Sequence, residues 1–80
     1  MKKIPLDNKI KVFRAIKDWT QAELAARVDV TRKTINTIEN RKFVPSAYLA
    51  LKIARAFEAS VEEVFQIDDD STVEETGDRG

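Results

Sequence analysis

The sequence predicts an all-α domain: five short helices around one core, joined by short connections. Two observations predict it. Candidate N-cap residues recur along the chain, at Thr20, Thr31, Ser46 and Ser60, and two of them make capping boxes, Thr20 with Glu23 and Ser60 with Glu63. Apolar residues then follow each cap at spacings of three and four, the period of a helix with one buried face. No stretch carries a strand pattern worth scoring, and there is no internal repeat. At 80 residues the chain is long enough for one small domain with a modest core.

Taken in order, residues 1–7 are expected to be flexible, because Pro5 fits at most a first helical turn. Asp7 or Asn8 can cap a first helix running to about Lys17, with Ile10, Phe13 and either Ile16 or Val12 inward and Lys9, Lys11 and Lys17 in solvent. Arg14 falls beside Phe13, so it is expected to be half-buried and to need a partner. Trp19 reads as a core plug. The stretch that organises the rest is Thr20–Arg41, TQAELAARVDVTRKTINTIENR. Leu24, Ala25 and Val28 give its first helix an apolar face, Asp29-Val30-Thr31 breaks the pattern, and Ile35 and Ile38 point inward from a helix capped by Thr31. Pro45 discourages helix at Val44. A fourth helix follows from Ser46 to about Phe57 or Glu58, with Leu49, Ile53, Ala54 and Phe57 inward. A fifth carries Val61, Val64 and Phe65. The domain is thus expected over residues 8–67, and residues 68–80, acidic and glycine-ended, read as a disordered tail.

The net charge of zero conceals an asymmetry. Residues 1–67 hold thirteen Lys/Arg against eight Asp/Glu, a balance of +5, whereas residues 68–80 hold one arginine against six acidic residues, −5. A basic body with an acidic tail points to a polyanionic partner or, equally, to a solvated surface with a solubilising tail. With no cysteine and no histidine, the chain has no disulfide framework and lacks the commonest general base and zinc ligand. Asp68-Asp69-Asp70 reads as solvated charge, and the only glycines, Gly77 and Gly80, make no phosphate-binding loop. No enzyme activity, metal or cofactor is therefore expected. No membrane-length apolar run and no secretory h-region are seen, so a cytoplasmic protein is expected.

The second helix of the central stretch has an unusual outer face. At about 100° per residue, Lys33, Asn36, Thr37 and Asn40 form one stripe, with Arg32 beside it at the helix start. Every member is a hydrogen-bond donor. Such a stripe is either a solvated face or a DNA-reading one, and the second option has a physical basis. The major groove, about 12 Å wide, admits one helix. Arg32 and Lys33 can reach guanine O6 and N7, Asn36 can read adenine, and Thr37 can meet a thymine methyl or a base edge. Thr20 and Gln21, opening the preceding helix, suit flanking phosphates, and Arg41 and Lys42 can add charge contacts to the DNA backbone.

From about Ile10 to Ile67 the chain resembles the phage-repressor/Cro-like helix-turn-helix family, the XRE-type regulators. The residues that carry the resemblance are Ile10–Arg14, the string over Thr20–Asn40, Pro45-Ser46, the ALKIARAF run ending at Phe57, and Ser60–Phe65. The resemblance implies a compact lambda-repressor-like fold and a sequence-specific DNA-binding transcriptional regulator, a repressor by expectation, acting as a homodimer on a palindromic operator. It implies that Gln21 contacts phosphate and braces a base-reading neighbour, that Thr31, Arg32, Lys33, Thr34 and Thr37 touch phosphates and base edges, and that Asn40 meets phosphate. It also implies a buried salt bridge between Arg14 and Glu39. Two glycine-preferring positions depart from the family pattern, Asp29 in the turn and Arg41 after the helix. At Arg41 either the helix ends differently or strain is accepted for a phosphate contact. An alternative role on the same fold is an antitoxin or anti-regulator that binds a protein partner through the acidic tail and uses DNA binding for autoregulation. Val44, Tyr48, Phe65 and Ile67 are the candidate dimer seam.

Overall fold

Hydroxyl side chains start every helix except the first. The computed structural model describes residues 3–68. The elements run β1 (Leu6–Asn8), α1 (Ile10–Lys17), α2 (Gln21–Arg27), α3 (Arg32–Glu39), α4 (Ala47–Ala56), α5 (Val61–Val64) and β2 (Phe65–Ile67). Thr20 Oγ1 accepts the Glu23 backbone N–H at 3.0 Å, and the Glu23 carboxylate accepts the Thr20 N–H at 2.9 Å. Ser60 and Glu63 repeat this reciprocal pair at 3.1 and 2.7 Å. Thr31 and Ser46 cap α3 and α4 by accepting from Thr34 and Leu49. Each such cap contributes about 1 kcal/mol. That helps, but helices this short hold only when packed on one another.

The packing core is Ile10, Leu24, Ala25, Val28, Ile35, Ile38, Ile53, Ala54, Phe57, Val64 and Phe65, with Phe13, Trp19, Val30 and Leu49 half-buried against it. Phe57 stacks with both Phe13 and Trp19, at centroid distances of 5.2 and 5.6 Å, and the Arg27 guanidinium lies 4.1 Å from the Trp19 ring centroid. Ile16 and Val12 depart from expectation. Ile16 is 70% exposed and Val12 is exposed as well. The reason is rotational. At 100° per residue, Ile10, Phe13, Arg14 and Lys17 share one side of α1, so Arg14 takes the inward place that the three-and-four spacing offered to Ile16.

The ends of the fold also differ from expectation. Leu6–Asn8 pairs antiparallel with Phe65–Ile67, in the register Leu6↔Ile67, Asp7↔Gln66 and Asn8↔Phe65. The segment expected to be flexible is therefore a strand in part, and the fold carries a small sheet beside its helices. Three residues are too few to show alternation in sequence. The sheet is held instead by Phe65, which leaves the helix expected there and enters the core, out of reach of a dimer seam. Two further backbone bonds extend the pairing, from Lys9 N–H to Val64 O at 2.8 Å and from Asp68 N–H to Pro5 O at 3.0 Å. Helix α1 begins after this strand. Its cap position, Lys9, makes no side-chain bond, and Asn8 Oδ1 accepts the Ile10 N–H at 3.1 Å.

Asp18, Asp29, Arg41 and Glu58, one after each of the first four helices, adopt φ of 61, 63, 58 and 60°. The described residues include no glycine, so each helix turns out through a side-chain-bearing residue in the left-handed region, at some steric cost. Among the described residues no helix is long and apolar enough to cross a membrane. The acidic tail beyond Asp68 lies outside the described residues.

Candidate nucleic-acid interface

The two helices of the central stretch are joined through Asp29, whose left-handed backbone lets Val30 N–H reach back to Ala25 O at 3.0 Å. This closes the end of α2 and sets Thr31 to cap α3. Ile35 and Ile38 fix α3 from below, and Arg32, Lys33, Asn36 and Asn40 are left exposed on its outer side, with Thr34 and Thr37 half-buried.

One hydrogen-bonded network spans α1, α2 and α3. Arg14 Nε donates to Glu39 Oε2 at 2.7 Å and its terminal nitrogen Nη2 donates to Oε1 at 3.2 Å, while Nη1 donates to Trp19 O at 3.0 Å. The Glu39 side chain is 0% exposed. Gln21 Nε2 donates to Glu39 Oε1 at 2.9 Å and to Asn36 Oδ1 at 3.3 Å. Asn40 Nδ2 donates to Asn36 O at 2.9 Å and to Asn36 Oδ1 at 3.2 Å. A buried ion pair is thereby continuous with the exposed amides of α3. The Asn36–Asn40 contact has helical spacing and could have been read from sequence. The Gln21–Asn36 contact crosses the turn and has no local signature.

The remaining candidate residues divide into engaged and free. The Thr20 hydroxyl is occupied by its capping box, the Thr31 and Thr34 hydroxyls lie 3.1 Å apart, and the Thr37 hydroxyl donates to Thr34 O at 2.9 Å. Arg32, Lys33 and Lys42 are exposed, and none has a hydrogen bond or ion pair within the described residues. Arg41, expected at the DNA backbone, is engaged within the protein. Its side chain, 13% exposed, donates to Ile4 O at 2.7 and 3.2 Å and to Asp68 Oδ2 at 2.8 Å. Arg41 has a left-handed backbone, and Ile4 N–H returns a bond to Arg41 O at 3.4 Å. The Gln21 amide has internal acceptors for both hydrogens, at Glu39 and at Asn36, which leaves its backbone N–H as the donor with no internal partner.

Comparison with known proteins agrees with this geometry. A helix-turn-helix family model, HTH_3, matches residues 10–64. An uncharacterized HTH-type transcriptional regulator of Methanocaldococcus jannaschii is 43% identical over 65 residues, which cover 81% of this chain and 98% of that protein. The uncharacterized HTH-type transcriptional regulator YgzD of Bacillus subtilis is 41% identical over 66 residues, covering 82% of this chain and all of that one. Among solved structures, the clp gene regulator ClgR of Corynebacterium glutamicum is 30% identical with a TM-score of 0.64, over 68% of this chain and 57% of that one. With its capped α2–turn–α3 unit and an exposed polar face, this chain belongs to the Cro/C1-type (XRE) helix-turn-helix family of DNA-binding transcriptional regulators.

Proposed function

We propose that this chain is a sequence-specific transcriptional repressor that seats α3 in the major groove of double-stranded DNA. The observation that supports it best is the state of Arg32 and Lys33. Both stand exposed at the open N-terminal turn of α3, with no anion against them among the described residues, while the neighbouring polar side chains are tied to one another. Cations so placed, where the helix end adds partial positive charge, suit guanine edges and phosphates. In this reading Arg32 and Lys33 take guanine O6 and N7, and Thr37 approaches a base edge or thymine methyl. Thr20, Thr31, Thr34, Lys42 and the backbone N–H of Gln21 meet phosphates on either side. Arg41 takes no part in contacting DNA.

Two copies on a palindromic operator complete the proposal. The exposed apolar residues Val44, Tyr48 and Leu51 offer the seam, with Tyr48 71% exposed. Repression follows from occupying a promoter. Selection of bound duplexes from a random pool tests the reading. The expected result is an enriched pseudo-palindrome with half-site centres about 10 base pairs apart. Binding to it should weaken as salt rises and fall further in Arg32→Ala and Lys33→Ala. A pool that yields no enriched sequence, with binding insensitive to salt, would overturn it. A reporter whose promoter overlaps the selected site should lose expression when the protein is present.

A further inference from the structure

The buried ion pair fixes which way the exposed amide of α3 points. The Glu39 side chain is wholly buried and bridged to Arg14, so toward Gln21 it offers only acceptor oxygens. The Gln21 atom 2.9 Å from Glu39 Oε1 must therefore be the nitrogen, Nε2. The second hydrogen of Nε2 is directed at Asn36, 3.3 Å away, and the Asn36 atom that receives it must be the oxygen, Oδ1. Asn40 Nδ2, anchored on Asn36 O at 2.9 Å, brings its other hydrogen to the same oxygen at 3.2 Å. The orientations of Gln21 and Asn36 follow in turn from a carboxylate that only accepts, and that of Asn40 from a backbone carbonyl. Asn36 is thus left with both lone-pair directions of Oδ1 engaged and with its Nδ2 amino group exposed and without an acceptor among the described residues.

This changes what Asn36 can read. An asparagine recognises adenine through a pair of bonds, accepting from N6–H and donating to N7, and that pair needs a free Oδ1. Guanine presents two acceptors in the major groove, O6 and N7, and an outward amino group matches both. Cytosine presents a donor there, and adenine offers N7 only beside its own N6 donor. We infer that Asn36 is a specificity-determining residue that acts as a pure donor and selects guanine over adenine, its amide held in that sense by Gln21 and Asn40 from the Arg14–Glu39 pair. The inference rests on the reading that α3 enters the major groove.

The test compares the motifs that wild type, Asn36→Ala, Asn36→Asp and the double variant Gln21→Ala/Asn40→Ala select from one randomised duplex pool. In the wild-type motif, the column that Asn36→Ala flattens should be guanine, preferred over adenine by roughly fivefold or more. Asn36→Asp keeps the size and the internal bonds but turns an acceptor outward, so the same column should change to cytosine. The double variant frees Oδ1, lets the amide turn over, and should bring adenine level with guanine in that column. The columns read by Arg32 and Lys33 should stay as in wild type in every variant and so report that the domain is folded. A flattened column that is adenine, or no column altered by Asn36→Ala, overturns the donor assignment while leaving groove binding intact. A wild-type pool with no motif at all overturns groove binding itself, and the inference with it.

Discussion

Arg14 and Arg41 are two arginines tied to the same helix, α3, one bonded to its last residue and one standing in the loop just past it. Their own exposure is nearly equal, 18% and 13%. Their partners are not alike. The Glu39 side chain has no water-facing surface and receives two bonds from Arg14 and one from Gln21. Arg41 bonds a backbone carbonyl and Asp68, a carboxylate that keeps contact with solvent, and Asp7, more exposed still, stands 4.0 Å off. Burial of the partner, more than of the arginine, decides how much each pair can lose. An exposed carboxylate deprived of its arginine returns to water, whereas a buried arginine or carboxylate deprived of its partner has nothing to replace it.

Four substitutions sharpen this contrast. Glu39→Ala should cost most, about 3–5 kcal/mol in urea unfolding, because Arg14 is left covered and uncompensated. That is a large part of what a domain of this size holds in total. Arg41→Ala should cost less, about 1–2 kcal/mol, since Ile4 O and Asp68 can both be hydrated once released. Asp29→Gly should have the smallest effect and the opposite sign, a gain of about 0.5 kcal/mol. Asp29 shares the left-handed backbone of Arg41 but has no side-chain bond or ion pair in the described residues. Arg41→Gly separates the two contributions at one site: its unfolding midpoint should lie above that of Arg41→Ala and below wild type. An Arg41→Gly protein more stable than wild type would show that the anchorage of Arg41 contributes nothing.

What could be read from sequence follows the range of the interaction. The caps at Thr20, Thr31, Ser46 and Ser60 are contacts over three residues, and they are where the letters place them. The glycine-preferring positions Asp29 and Arg41 are legible from resemblance, and Asp18 and Glu58 carry the same backbone strain with no such mark in the sequence. Arg14 was legible as a residue in need of a partner because it adjoins Phe13. With Arg14 on the inward side of α1, a turn of about 200° puts Ile16 outward. The role of Arg41 was not legible, because its bonds depend on a strand of three residues whose pairing partner lies far along the chain. The orientation of Asn36 was hidden for a similar reason: it is inherited from Glu39 through Gln21, across two helices.

The β1–β2 sheet has a kinetic consequence. Pairing Leu6 with Ile67 closes a loop around nearly all of the described chain, whereas the α2–α3 turn needs contacts only a few residues apart. Long-range closure carries the larger entropy loss, so the sheet forms after the helices have docked and opens before they part. Hydrogen exchange should therefore reach the Lys9 and Asp68 amides, bonded across that sheet, well before those in the middle of α2 and α3. Each such opening should take Ile4 and Asp68 from Arg41 together and release the loop after α3, while the ion pair at the far side of the helix stays closed.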